Sequence, residues 1–249
     1  MVSGQAVGII QARLSSTRLP GKILSPVAGR STLLDVLVQR VQSSGIPWWL
    51  ATTDLPSDDV TAAWGDALGL QVFRGSEWDV LSRFIGVIER TGADMVVRVT
   101  ADNPFIHGAT VRRVIEILRE ADATIQGVRG GGDPRQFPLG FVPEVLRAAA
   151  LMELDTSIGT VDSVHRTHVT SAIGKDAVLA YSEPSLPSRG HWRWTVDTAA
   201  DLAMTRRAFE VAGDVWPDLG YSGFVAALDA RPDITSMNEQ VPQKSLEDG

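Results

Sequence analysis

The sequence contains no cysteine, which excludes disulfide bonds and metal sites built on thiolates. No apolar run approaches the roughly 20 residues that span a membrane. The N-terminus lacks the basic segment and apolar core of a secretory signal, so we expect a cytoplasmic protein. Two nucleotide motifs are also missing. No Gly-x-Gly-x-x-Gly follows the first predicted strand and no Walker-type Gly-Lys-Ser/Thr occurs, so neither dinucleotide nor P-loop binding is predicted.

Basic residues are fewer than acidic ones, with 23 Lys and Arg against 30 Asp and Glu and a net charge of −7. This balance argues against broad affinity for nucleic acid or for an anionic membrane surface. Apolar content of 44% and charged content of 21% are ordinary for a globular protein. We expect one domain over residues 1–236, with a lobe at roughly 127–190 and a flexible tail at 237–249.

Short apolar runs alternate with amphipathic stretches through the first half of the chain. Strands are predicted at 7–11, 47–51, 72–73, 94–100, 122–126, 177–182 and 191–196. Helices are predicted at about 33–41, 60–68, 79–90 and 109–120, from 143 or 144 to 151, and at 199–212. Residues 127–140 are rich in Gly, which predicts a long loop or flap. Strand–helix alternation with short connections predicts a mostly parallel sheet with helices on both faces.

Polar residues follow several predicted strands at the point where each strand ends. Arg13, Thr52, Arg74 and Asp102 occupy such positions on four different strands. In open α/β sheets, ligands bind in the crevice at the carboxyl ends of the strands. The sequence therefore predicts that these four residues face one ligand site.

Residues 11–22, here called the basic segment, follow the first strand and combine cations and hydroxyls with the breakers Pro20 and Gly21. Such a segment can bind one polyanion, for which a nucleoside triphosphate is the natural candidate. Lys22 is the strongest phosphate candidate, because a compact cation beside Gly21 can approach closely. A solvated surface loop would explain the same composition. The candidate ligands here are Gln11, Ala12, Arg13, Ser16, Thr17, Arg18 and Lys22.

Two carboxylates far apart in the sequence have different interpretations on the residues alone. Asp102 follows a predicted buried strand, where it could hold a Mg²⁺ ion that also binds phosphate oxygens. On spacing alone a helix cap or turn is the favoured interpretation, because Asp before Asn-Pro is a common turn. Asp197 with Thr198 is typical of a helix cap. Arg193, which lies between two tryptophans, is typical of a cation–π packing element.

The order of residues in four segments resembles a known family. Residues 11–22 read Gln-Ala-Arg-x-x-Ser-Thr-Arg-Leu-Pro-Gly-Lys, and residues 73–81 read Phe-Arg-Gly-Ser-Glu-x-Asp-Val-Leu. Residues 98–102 read Arg-Val-Thr-Ala-Asp, and residues 193–198 read Arg-Trp-Thr-Val-Asp-Thr. Together they resemble the sugar-CMP synthetases, most closely the branch named after the spore-coat polysaccharide cytidylyltransferase SpsF. Ser15 replaces a glycine of that branch, so a left-handed backbone there would be strained.

The resemblance implies a three-layer, Rossmann-like α/β fold of the nucleotidyltransferase (GT-A-like) type, with a smaller lobe for the acceptor or for dimerisation. It implies a Mg²⁺-dependent cytidylyltransferase that transfers CMP from CTP to a hydroxyl of a sugar or sugar acid, releases pyrophosphate and forms a homodimer. Asp102 and Asp197 would hold the metal, and Arg13 and Lys22 would act on the triphosphate. Nucleotide contacts would extend to Thr52, Arg74, Gly75, Ser76, Asp79, Arg98, Thr100 and Ala101. Acceptor contacts would come from Glu144, Arg166, His168, Arg193 and Trp194.

Two other functions stay open on the sequence alone. Nucleotide-sugar glycosyltransferases share this sheet and use acidic metal sites, but an Asp-x-Asp motif is missing after the strand at 94–100. The second alternative is a nucleotide-binding module without catalytic activity. Some predicted contacts also have structural explanations, since Asp79 is typical of a helix cap and a lone His168 is more often structural.

Overall fold

The structure is a computed structural model that describes residues 4–132, 134–159 and 164–243. The strands are β1 (Ala6–Gln11), β2 (Pro26–Ala28), β3 (Ser31–Thr32), β4 (Trp48–Thr53), β5 (Gln71–Gly75), β6 (Met95–Thr100), β7 (Gly127–Arg129), β8 (Glu144–Arg147) and β9 (Val178–Ala180). The helices are α1 (Leu33–Gln42), α2 (Asp59–Ala67), α3 (Val80–Thr91), α4 (Gly108–Glu120), α5 (Ala148–Ile158), α6 (Val164–Thr167), α7 (Ala199–Ala212), α8 (Tyr221–Asp229) and α9 (Pro232–Thr235). Among these described helices, none is long and apolar enough to cross a membrane.

Seven of the strands form one sheet in the order β5-β4-β1-β6-β8-β7-β9. β1 lies parallel between β4 and β6, and β5 pairs in parallel with β4. β8 runs antiparallel to both of its neighbours, β6 and β7. The mostly parallel sheet predicted from the sequence is confirmed, and the carboxyl ends of β4, β1 and β6 lie side by side.

Apolar side chains cover both faces of this sheet. Ile10 belongs to a large cluster with α1, α4, α7 and α8, whereas Val7 and Ile9 belong to a smaller cluster with α3 and α5. The alternation follows from the two-residue period of a strand. Because helices cover both faces, the central parallel strands are apolar almost throughout. The three-layer α/β architecture is confirmed.

Side-chain caps begin several helices, and two of them, Thr198 and Asp79, are the caps that the sequence indicated. At α1, the Thr32 hydroxyl accepts a hydrogen bond from the Asp35 N–H, and the Thr32 N–H donates to the Asp35 carboxylate. Thr198 and Asp201 form the same capping box at α7. The side chain of Asp79 accepts from the N–H of Ser82 at the start of α3. These bonds satisfy N–H groups that have no partner within the helix.

Two predicted elements in the middle of the chain are wrong. Residues 122–126 form a turn, because the Asp122 carboxylate accepts hydrogen bonds from the N–H and hydroxyl of Thr124. The strand begins later, at β7. The predicted helix start at 143 or 144 is also displaced, because residues 144–147 pair antiparallel with β6 as β8. The helix begins only at Ala148.

The predicted strand at 191–196 is wrong as well. This segment makes a single bridge, between Leu139 and Arg193, and has no continuous ladder. Its alternating pattern has another cause: Trp194 and Val196 lie in the core, whereas Arg193 and Thr195 line a cavity. Two buried environments on opposite sides of an extended segment imitate the pattern of a strand.

The predicted tail at 237–249 begins with a buried residue. Asn238 is 2% exposed, and its amide donates to the carbonyl oxygen of Arg193 at 3.0 Å and to Oδ1 of Asp201 at 2.8 Å. These contacts attach the start of this segment to the core. Residues 244–249 of the predicted tail lie outside the described residues.

We expect Gly8→Ala to lower the free energy of unfolding by about 1–3 kcal/mol, because β1 packs under a large ring. A Cβ at Gly8 would lie 2.2 Å from Cε3 of Trp48, whose Nε1 donates to Ser44. Gly174→Ala is the matched control, since Gly174 has a φ of −56° and no neighbour within 4 Å of a Cβ. Urea denaturation measures both variants. Equal stability of the two would show that Trp48 moves aside without cost.

Candidate active site

Two adjoining cavities open at the carboxyl ends of β1 and β6. The first has a volume of about 240 Å³, and predicted residues of the basic segment line it, namely Gln11, Ala12, Arg13, Ser16, Thr17, Arg18 and Lys22. The second has a volume of about 600 Å³. The residues that line both cavities are Arg18, Arg98, Thr100, Asp102, His168 and Asp197. The crevice therefore lies at the carboxyl ends of the strands, as predicted. Of the four strand-end residues, Arg13 and Asp102 line it, whereas Thr52 and Arg74 line neither cavity.

Lys22 joins the two predicted metal ligands. Its Nζ lies 2.8 Å from Oδ2 of Asp102 and 3.0 Å from Oδ1 of Asp197, and it donates to the carbonyl oxygen of Val196 at 2.7 Å. Gly21, with a φ of +71°, turns the backbone into the short 3₁₀ helix that begins at Lys22. Two carboxylates from distant parts of the chain thus converge on one cation.

Electrostatics keep Lys22 and Asp102 charged. Burial would lower the pKa of Lys22, but attraction by Asp102 and Asp197 outweighs burial and raises it above the ordinary value of 10.5. Burial would raise the pKa of Asp102, but the Lys22 ammonium and the Thr100 hydroxyl outweigh it and lower that pKa. The hydroxyl donates to Oδ1 of Asp102 at 2.6 Å. Lys22 and Asp102 are therefore both ionised at neutral pH.

Asp197 is held from a second side by arginines. Nη2 of Arg18 lies 3.0 Å and Nη2 of Arg193 lies 2.6 Å from Oδ2 of Asp197. Arg193 is positioned in turn by Asp201, whose Oδ1 lies 2.9 Å from its Nε. Asp201 is completely buried. This chain of ion pairs fixes the direction in which Asp197 presents its carboxylate.

Two acidic residues to which the sequence analysis assigned no role hold the basic segment in place. Glu77 accepts hydrogen bonds from Nη1 of Arg13 at 3.3 Å and from the hydroxyl of Ser15 at 3.1 Å. Asp58 accepts from the N–H of Leu14 at 2.7 Å and is completely buried. The strain anticipated for Ser15 does not arise, since within the described ranges positive φ outside glycine occurs only at Val169.

Five predicted nucleotide contacts line neither cavity: Thr52, Arg74, Gly75, Ser76 and Asp79. Thr52 is completely buried within β4. Nη1 of Arg74 pairs with Asp59 at 2.7 Å, and its Nε donates to the carbonyl oxygen of Thr53. The Ser76 hydroxyl accepts from the N–H of Asp79, which itself caps α3. Arg74, Ser76 and Asp79 therefore form contacts within their own part of the fold. The other predicted contacts, Arg98, Thr100 and Ala101, do line the first cavity.

Three of the five predicted acceptor contacts line the second cavity, namely Glu144, His168 and Arg193. Arg166 does not, because its Nη2 pairs with Asp79 at 2.8 Å and with Asp155 at 2.7 Å. Trp194 does not either. It is 1% exposed, and its ring stacks on Phe105 with centroids 4.6 Å apart. Arg166 and Trp194 therefore hold the fold together instead of facing the second cavity.

Arg83 lines the first cavity, although no motif singled it out. It lies on the buried stripe of α3 between Val80 and Phe84, and it is 1% exposed. Arginine is almost never fully buried without partners. A charged residue at an apolar position of an amphipathic helix was the signal in the sequence that could have revealed it.

The chemistry of the two carboxylates fits a divalent cation. Oxygens of Asp102 and Asp197 both lie within 3.0 Å of the point that Nζ of Lys22 occupies. Mg²⁺ prefers oxygen ligands and often takes one or two carboxylates together with phosphate oxygens and water. No group of three or more metal-binding side chains occurs in the described part of the chain. The remaining ligands would therefore come from a substrate and from water.

Comparison with known proteins identifies the family. The family model for cytidylyltransferases matches residues 7–176. The spore coat polysaccharide biosynthesis protein SpsF of Bacillus subtilis is 34% identical over 245 residues, covering 93% of this chain and 97% of that protein. A solved cytidylyltransferase from Leptospira borgpetersenii has a TM-score of 0.85 at 24% identity and covers 97% of this chain and 99% of its own. The CMP:2-keto-3-deoxy-manno-octonic acid synthetase solved with CTP has a TM-score of 0.62 at 17% identity and covers 83% and 98%. The chain therefore belongs to the cytidylyltransferase family of nucleotidyltransferases.

Proposed function

We propose that this protein transfers CMP from CTP to a hydroxyl group of a sugar-like acceptor in the presence of Mg²⁺. The observation that carries the proposal is the convergence of Asp102, Asp197 and Lys22 at the place where two cavities meet. The first cavity is lined by the basic segment and suits a triphosphate. The second is larger and suits the acceptor. Membership of the family and the synthetase solved with CTP support CTP as the donor.

The side chains of the first cavity would bind the triphosphate and neutralise its charge. Arg13, Arg18 and Lys22 bring three cations to this cavity. Cations placed there stabilise the negative charge that develops on the departing pyrophosphate. Because phosphoryl chemistry of this kind depends mostly on positioning and electrostatics, no covalent intermediate with the protein is needed.

The acceptor would approach from the second cavity. Its hydroxyl oxygen attacks the α-phosphorus of CTP, and a new oxygen–phosphorus bond forms. The bond between the α-phosphorus and the oxygen bridging to the β-phosphate breaks, so pyrophosphate leaves and the hydroxyl proton passes to solvent. Both cavities reach Asp102 and Asp197, so the reacting atoms would meet beside these carboxylates.

Asp102 and Asp197 would hold the Mg²⁺ ion. When bound, the ion supplies positive charge beside the phosphate groups. Lys22 forms ion pairs with both carboxylates in this structure. We expect its ammonium to exchange at least one of these pairs for a phosphate oxygen when the nucleotide binds. The same side chain would then neutralise the two carboxylates in the free protein and bind the triphosphate in the complex.

The charges of the second cavity favour an acceptor that carries an anionic group. Arg98 is paired with Glu144 at 2.5 Å, and Arg193 is paired with two aspartates. Arg135 lines the same cavity, donates to the carbonyl oxygen of Gly190 and forms no ion pair with a described carboxylate. A carboxylate of a sugar acid would find a partner there.

Pyrophosphate release tests this function directly. The protein is incubated with CTP, Mg²⁺ and a panel of neutral sugars and sugar acids, and the product is identified by mass spectrometry. Release that depends on CTP, on metal and on one acceptor class supports the proposal. CTP binding without release for any acceptor would contradict it. Sugar transfer from a nucleotide sugar would identify a glycosyltransferase of the same fold instead.

A further inference from the structure

Arg83 lies on the far side of the first cavity from the carboxylates. Its Nη1 points at the carbonyl oxygen of Ala51 in β4, whereas Asp102 follows β6. β1 lies between these two strands, so their ends are separated by two strand spacings, roughly 10 Å. Gly75 packs against the stem of Arg83, since a Cβ there would lie 3.1 Å from Cγ of Arg83.

The guanidinium of Arg83 is poorly satisfied within the described residues. The contact between Nη1 and the oxygen of Ala51 is 3.4 Å long, Nε has no hydrogen-bond partner, and no carboxylate lies at ion-pair distance. Burial lowers the pKa of Arg83 to about 10, with a further contribution from nearby Arg13. Asp58, Asp79 and Glu77 oppose this shift from beyond ion-pair distance, and the group is still charged at neutral pH. A buried charge of this kind is costly unless a partner satisfies it.

Two other buried arginines show how this protein provides partners for a guanidinium that only stabilises the fold. Arg40 is completely buried and donates to the carbonyl oxygens of Trp216, Phe105 and Leu219. Arg166 forms ion pairs with two aspartates. Nε lacks a partner in all three arginines, so they differ at the other nitrogens. Within the described residues, Arg83 makes only the 3.4 Å contact with the oxygen of Ala51 and no ion pair, and it faces a cavity. Its donors are therefore available to a ligand.

We infer that Arg83 is a specificity-determining residue. Its guanidinium binds the edge of the nucleotide's pyrimidine ring that carries N3 and O2. This inference rests on the proposed function, because it places the triphosphate on Arg13, Arg18 and Lys22. The apolar side chain of Val80 and the small side chain of Ala12 line the same cavity, as suits the ring of a base. The base would thus lie beside β4, and the phosphates would lie beside β1 and β6.

Cytosine suits this arginine chemically. Its N3 and O2 are adjacent hydrogen-bond acceptors, and a guanidinium presents two parallel N–H donors in a planar fork. Uracil carries a hydrogen on N3, which would face a donor of Arg83 instead of accepting from it. Arg83 would therefore favour CTP over UTP, whereas a phosphate-binding residue would treat the two nucleotides alike.

Calorimetric titration of Arg83→Lys and Arg83→Met with CTP, UTP and inorganic tripolyphosphate tests the inference. We expect the affinity for CTP to fall about 10- to 100-fold, as for the loss of a hydrogen-bonded charged group. Affinity for UTP should change little, and binding of tripolyphosphate should remain as in the wild type. The preference for CTP over UTP should therefore collapse in both variants.

Thermal stability supplies a second readout. Replacing an unpaired buried charge with an apolar side chain is often neutral or stabilising, so Arg83→Met should keep or raise the Tm. Arg40→Met is the matched control. It removes the donor of three carbonyl oxygens, so we expect a lower Tm and an unchanged ratio of CTP to UTP affinity in the folded protein.

The outcomes separate the possible roles. An unchanged ratio of CTP to UTP affinity in Arg83→Lys and Arg83→Met would overturn the inference, and a loss shared equally by CTP, UTP and tripolyphosphate would reassign Arg83 to the phosphates. A wild-type protein that binds CTP and UTP equally would also overturn it. A wild type that prefers CTP but releases no pyrophosphate with any acceptor would contradict only the proposed function.

Discussion

Asp102→Asn and Asp197→Asn are each expected to lower the rate of pyrophosphate release by at least about 100- to 1000-fold. Asparagine keeps the shape of the side chain and an oxygen that can accept from Lys22, but it removes one of the two negative charges proposed to hold the metal. We therefore expect folded variants with normal far-ultraviolet circular dichroism. Initial rates at saturating CTP, measured over a series of Mg²⁺ concentrations, give the size of the effect.

Asp229→Asn is the control for these two variants. Asp229 also pairs with an arginine, at 2.6 Å from Nη2 of Arg189, but the pair lies at the protein surface and away from both cavities. Its rate should equal that of the wild type. Near-normal release by Asp102→Asn or Asp197→Asn would remove that carboxylate from the proposed metal site.

Asp201→Ala is expected to lower the free energy of unfolding by about 3–5 kcal/mol. Asp201 is completely buried, pairs with Arg193 at 2.9 Å and accepts from the amide of Asn238 at 2.8 Å. Its other oxygen accepts from the N–H groups of Asp197 and Thr198. Alanine would leave the buried Arg193 with fewer partners and would remove the capping box of α7. Chemical denaturation at neutral pH measures the loss.

The loss should also depend on pH. Burial would raise the pKa of Asp201, but hydrogen bonds from Asn238 and Arg193 outweigh it and lower the pKa below the ordinary 3.8. A carboxyl with a depressed pKa in the folded state stabilises the protein above its unfolded pKa, and this contribution is lost as the pH falls through the folded value. The wild type and Asp201→Ala should therefore approach each other in stability below about pH 4.

Asp233→Ala provides the comparison for Asp201→Ala. Asp233 pairs with Arg231 at 2.8 Å, but its side chain is 62% exposed. Solvent screening limits an exposed pair to at most about 1 kcal/mol. If Asp201→Ala cost no more than Asp233→Ala, the network around Arg193 would not contribute to stability as described.

Much of the fold could be predicted because the relevant physics is local. The apolar runs that became β1 and β6 and the amphipathic stripes of α1, α3 and α4 follow from hydrophobic period alone. Thr32 and Thr198 cap the starts of α1 and α7 through hydrogen bonds with residues three positions later in the chain. β8 was missed because its pairing with β6 depends on a strand about 50 residues earlier, which no local pattern records.

For the candidate site, too, one part could be predicted from the sequence and another part could not. The sequence by itself determined that the segment after β1 and Asp102 after β6 lie at the carboxyl ends of parallel strands, because strand alternation identifies those ends. Only the tertiary structure decided which side chains face the cavities. Trp194 and Arg166 pack or pair internally, whereas Arg83 turns a buried charge towards the first cavity. The physical reason is that a side chain's role depends on which distant groups desolvate it and which satisfy its hydrogen bonds, and these neighbours exist only once the chain has folded.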